Sequence, residues 1–401
     1  MNYSFAKSIV HLESSAVREI LKLTQGSEII SFAGGLPAEE YFPVEAVRDA
    51  YSRVLDGGTK ALQYALTEGY MPLRELMCAR LKDKKNINIR PENMILTTGS
   101  QQALDLLARV YLDDGDVVLV ENPTYLAALQ SFRSHGVSVV AVESDKDGML
   151  LDDLAAKIKA HQPKLVYVVP TFSNPTGRAW STERRLGLLK ACRENNILIL
   201  EDDPYGEIKF DPDAYYPTIF SLDQHPDDSA VVYLGSFSKT VAPALRTGMA
   251  IGDKQVIQAM AKAKQASDLH SSSIDQQALY QLFANYPMDD HIANICVQYK
   301  KRMEAMHSLF TAQNIPGFSI NKPPGGMFFW GELPEEVDAA ELMKLAVKEG
   351  VAYVPGAPFF AGSPKKNTLR LNFTHNDNER TKQGVERFAT AYKAYLAQTV
   401  K

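Results

Sequence analysis

A lone lysine stands among small and hydroxyl-bearing residues in the segment GSFSKTVAPALRTG, residues 235–248. Ser236 and Ser238 flank Lys239, and Arg246 follows seven residues later. When burial or a nearby cation lowers its pKa, a lysine amine can be neutral near pH 7 and attack an aldehyde. Taken alone, however, the segment is explained better as a surface loop that carries a solvated lysine.

Polar side chains follow three further apolar runs. Ser100 and Gln101 come after NMILTT at the start of a predicted helix, where free amide groups can bind phosphate, although a plain serine cap would look the same. Asn174 lies in the turn SNPTG after KLVYVV. Asp202 and Tyr205 follow ILILE; a carboxylate at the end of a buried strand usually faces a ligand or a cation, whereas an exposed acidic pair is only a solvated loop.

Seven short apolar runs rich in β-branched residues must position these groups. They are NMILTT, DVVLVE, VSVVAV, KLVYVV, ILILED, VVYLGS and GMAIG. Helical patterns alternate with them, which predicts an α/β fold whose large domain has a mostly parallel, seven-stranded sheet between helices. Ligands of such sheets bind at the carboxyl ends of the strands. There, a ligand with a phosphate, an aromatic nitrogen, a phenolic oxygen and an aldehyde would use all four groups.

The C-terminal part of the chain has a different pattern. A long helical pattern begins at about Ile292, a further helix is predicted near 339–348, and GVAYVP and TLRLNFT are candidate strands. We therefore predict a large ligand-binding domain over residues 46–290 and a small α+β domain over residues 291–401. Residues 1–45 are too short to fold alone and should pack on the small domain and the active site.

The composition excludes several classes of protein. The net charge of -5 lacks the basic excess that nucleic-acid binding needs. No run approaches the roughly 18 apolar residues of a membrane span, and the first residues lack a secretory signal, so a cytoplasmic protein without membrane contact is expected. Cys78, Cys192 and Cys296 lack the spacing of metal ligands, and no metal is expected.

Nine motifs together resemble one known family. In order they are SFAGGLP, LQYALTEGYMPLR, TTGSQQALD, ENPTY, SNPTG, EDDPYGE, SFSKTVAPALR, PPGGMFFW and NTLRLNFT. They resemble the pyridoxal-phosphate aminotransferases of fold type I, the aspartate aminotransferase fold, over nearly the whole chain. More narrowly, they resemble the 2-aminoadipate and kynurenine aminotransferase branch, which is related to the effector domains of MocR-type regulators.

The resemblance implies pyridoxal 5'-phosphate as cofactor and a role for each matching residue. Lys239 would bond covalently to the cofactor and later move the substrate Cα proton. Asp202 would pair with the ring nitrogen, while Asn174 and Tyr205 would hold the phenolic oxygen and Tyr125 would stack on the ring. The phosphate would be bound by Ser100, Gln101, Ser236, Ser238 and Arg246, and by Tyr64 of a partner subunit, which implies a homodimer with shared active sites.

The resemblance also implies how substrates bind. Arg370 in NTLRLNF, together with Asn174, would hold the substrate α-carboxylate. Ser15 and Arg18, in the mobile N-terminal helix ESSAVREILKL, would contact the distal group, although Arg18 fits an exposed helix position nearly as well. Gly34 and Gly35, in the motif SFAGGLP, would leave room for a bulky substrate side chain.

The expected reaction is transamination of an L-amino acid with a 2-oxo acid, 2-oxoglutarate being the expected acceptor, by a ping-pong mechanism. The donor stays open among 2-aminoadipate, branched-chain, aromatic and kynurenine-like amino acids. Two alternatives use the same residues: a pyridoxal-phosphate lyase or decarboxylase, and a non-catalytic effector-sensing domain. The second is disfavoured, because a regulator of the MocR type would need a winged-helix domain before Met1.

Overall fold

The chain is described by a computed structural model. The described residues are 28–399 and, before them, Met1, 3–6, Ile9, Glu19 and Ile20. Ser15 and Arg18, the two residues predicted to contact the distal end of the substrate, lie outside the described residues. Among the described residues, no helix combines the length and the apolar composition that a membrane crossing requires.

The described strands form a large sheet, a small sheet and one isolated pair. In chain order they are β1 (Ile30–Ser31), β2 (Met94–Thr97), β3 (Val117–Asn122), β4 (Ser138–Asp145), β5 (Gly148–Met149), β6 (Leu165–Val168), β7 (Leu198–Asp203), β8 (Val231–Ser236), β9 (Gly248–Ile251), β10 (Ser319–Ile320), β11 (Phe328–Glu332), β12 (Val351–Ala352), β13 (Val354–Pro355) and β14 (Thr368–Asn372). The large sheet has the order β2-β9-β8-β7-β6-β3-β4-β5. It contains the seven predicted strands and, at one edge, the two-residue strand β5. Strands β8, β7, β6, β3 and β4 run parallel, as predicted, whereas β9 is antiparallel to both neighbours.

Helices connect and cover these strands. In chain order they are α1 (Val44–Asp56), α2 (Met71–Lys85), α3 (Gly99–Tyr111), α4 (Leu126–Ser134), α5 (Leu151–His161), α6 (Thr182–Glu194), α7 (Ile219–Asp223), α8 (Lys254–Ser267), α9 (Ser273–Asn285), α10 (Met288–Gln313), α11 (Ala339–Lys348) and α12 (Asn378–Thr399). Successive residues of a strand point to opposite faces of a sheet. In β7, Ile199 packs in a core with Leu188 of α6, and Leu200 packs in a second core with Leu104 of α3. Both faces are thus covered, which is why the strands read as unbroken apolar runs.

The small sheet is antiparallel and belongs to a third core. Its order is β10-β11-β14-β13. The segment GVAYVP, a single predicted strand, forms the two short strands β12 and β13, and β12 pairs in parallel with β1. The pairs Ile30 with Val351 and Ser31 with Ala352 therefore attach the start of the continuously described chain to the small sheet's core, which also contains Phe32.

The topology of the large sheet brings four turns to one edge. Because β2 and β8 are both antiparallel to β9, they run parallel to each other. Strands β6 and β7 run parallel to β8. The last residues of these strands are Thr97, Val168, Asp203 and Ser236. The polar turns that follow them in the sequence therefore start from the same edge of the sheet.

Candidate active site

A cavity of about 330 Å³ lies at this edge. Twelve of the predicted site residues line it: Gly35, Ser100, Gln101, Tyr125, Asn174, Asp202, Tyr205, Ser236, Ser238, Lys239, Arg246 and Arg370. Leu126, Ala127, Val169, Pro204, Pro243 and Phe359 complete the wall. The four turns after β2, β6, β7 and β8 thus converge on one cavity, which Gly35 and the β14 residue Arg370 also reach.

Lys239 lies in the turn after β8 and donates a hydrogen bond from Nζ to the carbonyl of Gly35 at 2.7 Å. Burial lowers the pKa of its ammonium group to about 8, and the nearby cations Arg370 and Arg246 act in the same direction. The ordinary value for a lysine is near 10.4. A substantial fraction of this amine is therefore neutral slightly above pH 7, as a nucleophile toward an aldehyde must be.

Asp202, in β7, is a buried carboxylate with one oxygen free. Its Oδ2 accepts a hydrogen bond from the Tyr167 hydroxyl at 2.9 Å, while Oδ1 has no partner among the described residues. Burial raises the pKa of Asp202 to about 7, and the adjacent Asp203 raises it in the same direction. Leaving such an oxygen unpaired is costly. The free oxygen is suited to a protonated nitrogen of a ligand in the cavity.

The start of α3 forms a cradle with Arg246. Gly99 has φ +74°, and a Cβ atom there would lie 2.5 Å from a guanidinium nitrogen of Arg246. A Cβ on Gly248 would lie 2.8 Å from the amide nitrogen of Ser100. Arg246 also donates to Ser238 Oγ at 3.4 Å. Free helix amides, a guanidinium and a hydroxyl close together are a phosphate-binding arrangement.

Arg370 lies in β14 and is buried. It donates to Asn174 Oδ1 at 2.7 Å and to the carbonyl of Ala33 at 2.6 Å, while Nε has no partner within the described part of the chain. Burial lowers its pKa to about 10, so the guanidinium stays charged at neutral pH. Its Cζ lies 4.3 Å from the centre of the Phe328 ring. A buried cation between aromatic and amide groups can take a ligand carboxylate in a bidentate contact.

Asn174 also contacts Tyr205, which lies in the turn after β7. Its Nδ2 lies 3.5 Å from the hydroxyl of Tyr205. Burial raises the pKa of Tyr205 far above its usual range and that of Tyr125 to about 12, so both phenols stay protonated. Tyr125 directly precedes α4 and lines the cavity. These hydroxyls therefore can donate hydrogen bonds to a ligand oxygen.

The family model for aminotransferase class I and II matches residues 28–388. The chain belongs to this family. The 2-aminoadipate transaminase of Thermus thermophilus is 39% identical to this aminotransferase over 395 residues, which cover 98% of each chain.

The solved structures that cover 98% of this aminotransferase include two with bound ligands. The α-aminoadipate aminotransferase of Thermus thermophilus, complexed with N-(5'-phosphopyridoxyl)-L-leucine, has a TM-score of 0.91 and 38% identity over 98% of both chains. The kynurenine aminotransferase of Pyrococcus horikoshii, in complex with PMP, has a TM-score of 0.92 and 39% identity over 98% of this chain and 97% of that one. The predicted family, fold type and enzyme class are confirmed, and the cofactor is pyridoxal phosphate.

The residues of the cavity fit this cofactor. The free oxygen of Asp202 matches the ring nitrogen, and the cradle of Arg246 and the α3 amides matches the phosphate. The amine of Lys239, with its lowered pKa, matches the aldehyde. Within the described ranges, no cluster of three or more His, Cys, Asp or Glu side chains is arranged to hold a metal ion.

The lowered pKa of Lys239 predicts how cofactor capture depends on pH. Below a pKa of about 8, the neutral fraction of the amine falls about tenfold per pH unit. The rate at which the cofactor-free enzyme bonds pyridoxal phosphate should therefore rise with pH up to about 8 and level off above it. Stopped-flow absorbance between about pH 6 and about pH 10 measures this rate. A rate that still rises steeply above about pH 9 would show that Lys239 keeps an ordinary pKa.

Of the predicted site residues that the structure describes, Tyr64 alone does not line the cavity. Tyr64 is 79% exposed, and its ring meets the His270 ring edge-on at 5.8 Å between centroids. The Tyr64 side chain is therefore largely exposed and lies outside the cavity. Ser15 and Arg18 lie outside the described residues.

Two contacts of the site were missed in the sequence. Tyr167, which donates to Asp202, lies in the apolar run KLVYVV, where a hydroxyl inside an otherwise apolar strand was the available signal. Phe359, whose ring centre lies 5.2 Å from Cζ of Arg370, ends a short 3-10 helix (Ala357–Phe359) between β13 and β14. No local pattern marks it, because it meets Arg370 only through the tertiary fold.

Proposed function

We propose that this aminotransferase transfers an amino group from an L-amino acid to a 2-oxo acid, with 2-oxoglutarate as acceptor, in two half-reactions at one site. The observation that carries this proposal is the single cavity that holds both Lys239 and Arg370. Donor and acceptor each have a carboxylate next to the reacting carbon, and both need the same arginine. They must therefore bind in turn, which is a ping-pong mechanism.

The residues of the cavity divide the work. Arg370 holds the substrate carboxylate, which replaces the Ala33 carbonyl as a guanidinium partner. Lys239, once free as an amine, would take the proton from Cα of the amino acid and, in the second half-reaction, would deliver a proton to Cα of the 2-oxo acid. Asp202 balances the positive charge of the cofactor ring nitrogen. When bound, pyridoxal phosphate supplies the aldehyde and the electron-withdrawing ring that make the Cα proton acidic.

We further propose 2-aminoadipate as the donor, within a broader range that includes aromatic or kynurenine-like amino acids. The names of the similar enzymes, a 2-aminoadipate transaminase and a kynurenine aminotransferase, support this range. A panel of 2-aminoadipate, kynurenine, phenylalanine and leucine, each with 2-oxoglutarate, tests it by the glutamate formed. If none of the four donors yields glutamate, the proposed acceptor and donor class are contradicted.

We also propose a homodimer in which Tyr64 binds the phosphate of the partner's cofactor. The Tyr64 side chain is exposed and lies outside the cavity of its own subunit, which supports this role. Tyr64→Phe should weaken cofactor binding about tenfold or more, since a hydrogen bond to a charged group contributes roughly 1.5–3 kcal/mol. Fluorescence titration of the cofactor-free protein measures the dissociation constant.

Mixed dimers test whether Tyr64 acts across the interface. A dimer of one Tyr64→Phe subunit and one Lys239→Ala subunit has, under this proposal, one site with both native residues. That dimer should regain about half of the wild-type activity per dimer. If Tyr64 serves its own subunit, the mixed dimer instead keeps the cofactor affinity of the Tyr64→Phe protein at its only lysine-bearing site.

A further inference from the structure

Lys264 is a fully buried lysine outside the cavity. It lies in α8, has 0% of its surface exposed, and does not line the active site. Its Nζ donates to Gln102 Oε1 at 2.7 Å, to Ser271 Oγ at 2.8 Å, and to the two carboxylate oxygens of Asp268 at 2.8 and 2.9 Å. A buried ammonium group is costly unless it is paired in this way. The contacts, rather than chance packing, must therefore account for its position.

The first contact reaches the start of the phosphate cradle. Gln102 belongs to the first turn of α3, and its Oε1 also accepts the amide of Thr98 at 2.8 Å. Its Nε2 donates to Asp268 Oδ2 at 2.7 Å. Lys264 and Asp268 together fix both ends of the Gln102 amide. The turn between Thr98 and Gln102, which carries Ser100 and Gln101, is thereby held in place.

The second contact reaches the surface that carries Tyr64. Ser271 Oγ lies 2.8 Å from Thr98 Oγ1, and its carbonyl faces Nδ1 of His270 at 2.9 Å. Nε2 of His270 accepts the amide of Ala65 at 3.3 Å, so Nδ1 carries the proton that bonds to Ser271. The same imidazole ring meets Tyr64 edge-on. A continuous chain of contacts therefore joins Lys264 to Tyr64.

We propose that Lys264 is a positioning residue that couples the phosphate-binding end of α3 to the Tyr64 surface of the same subunit. Through α3 it orders the phosphate site of its own subunit. Through Ser271 and His270 it orders Tyr64, which binds the phosphate in the partner's site. This inference rests on the proposed function, in which α3 holds the cofactor phosphate and Tyr64 acts across the dimer. One buried cation then serves two active sites.

The cofactor and its phosphate-free analogue pyridoxal separate this role from general stability. Lys264→Met should raise the dissociation constant for pyridoxal phosphate about tenfold or more, but that for pyridoxal, which lacks the phosphate, less than about twofold. Lys262→Met, an exposed lysine in the same helix, is the matched control and should change neither. Equal losses for both ligands in the Lys264→Met protein, or no loss, would overturn the proposal.

A second variant covers the case in which Lys264→Met does not fold. Gln102→Ala removes the connection to Thr98 but leaves the ion pair of Lys264 with Asp268 intact. It should show the same phosphate-selective loss, and an unselective effect or none would overturn the coupling through α3. Circular dichroism confirms that each variant is folded.

Arg246→Met distinguishes failure of this inference from failure of the proposed phosphate site. Arg246 lies in the cradle itself, so its loss should be selective for pyridoxal phosphate whatever Lys264 does. Selectivity in Arg246→Met without selectivity in Lys264→Met would reject the coupling alone. Absence of selectivity in both would reject the phosphate site, and the coupling with it.

Discussion

Replacing Lys239 with alanine is expected to reduce transamination by about 10²- to 10⁴-fold while leaving cofactor binding measurable. Lys239 is the only lysine that lines the described cavity, so no other amine there can take its place. Under the proposed function, the cradle at the start of α3 should still hold the phosphate in this variant. Steady-state assays give the rate, and equilibrium dialysis gives the cofactor affinity.

The control for this variant is the same substitution at a lysine outside the site. Lys262→Ala, on the exposed side of α8, should keep the activity of the unmodified enzyme. A Lys239→Ala protein that transaminates within about tenfold of the native rate would reject Lys239 as the residue that moves the Cα proton. Loss of all cofactor affinity would instead reject the cradle as the main phosphate site.

Asp202→Asn should lower kcat by about 10²- to 10³-fold, because it removes the negative charge that we propose faces the cofactor ring. The side chain keeps its size and can still contact Tyr167, so the loss reports charge rather than shape. Measurement of kcat with saturating cofactor and donor tests this expectation.

Tyr167→Phe provides the comparison for Asp202→Asn. It removes the hydrogen bond to Oδ2 but keeps the carboxylate and its free Oδ1. Its kcat should fall by no more than about tenfold. If Tyr167→Phe were as damaging as Asp202→Asn, orientation of the side chain rather than its charge would be the function of this pair.

The large sheet could be predicted because its information is local. Strands buried on both faces read as apolar runs, and Ile199 and Leu200 show why, since neighbouring residues enter different cores. Asn174, Asp202 and Lys239 could be assigned to one site for a related reason. Each follows a strand or lies at its end, and parallel strands end at the same edge.

Other features depend on contacts between distant parts of the chain. Strand β5 has two residues, Gly148 and Met149, too few for any periodic pattern. The pairing of Ile30 with Val351 and the division of GVAYVP into two strands are set by neighbours far away in the sequence. The start of α10 at Met288, four residues before the predicted Ile292, follows Pro287, a helix-start signal that the apolar pattern alone overlooked.

The half-reaction without an acceptor tests the central claim most directly. The cofactor-loaded enzyme is mixed with 2-aminoadipate or another active donor alone, and the 2-oxo acid, ammonia and carbon dioxide formed are measured per subunit. We predict about one equivalent of 2-oxo acid per subunit, then no further product until 2-oxoglutarate is added and glutamate appears. Continued release of ammonia or carbon dioxide beyond one equivalent, with no acceptor present, would contradict transamination and indicate a lyase or decarboxylase.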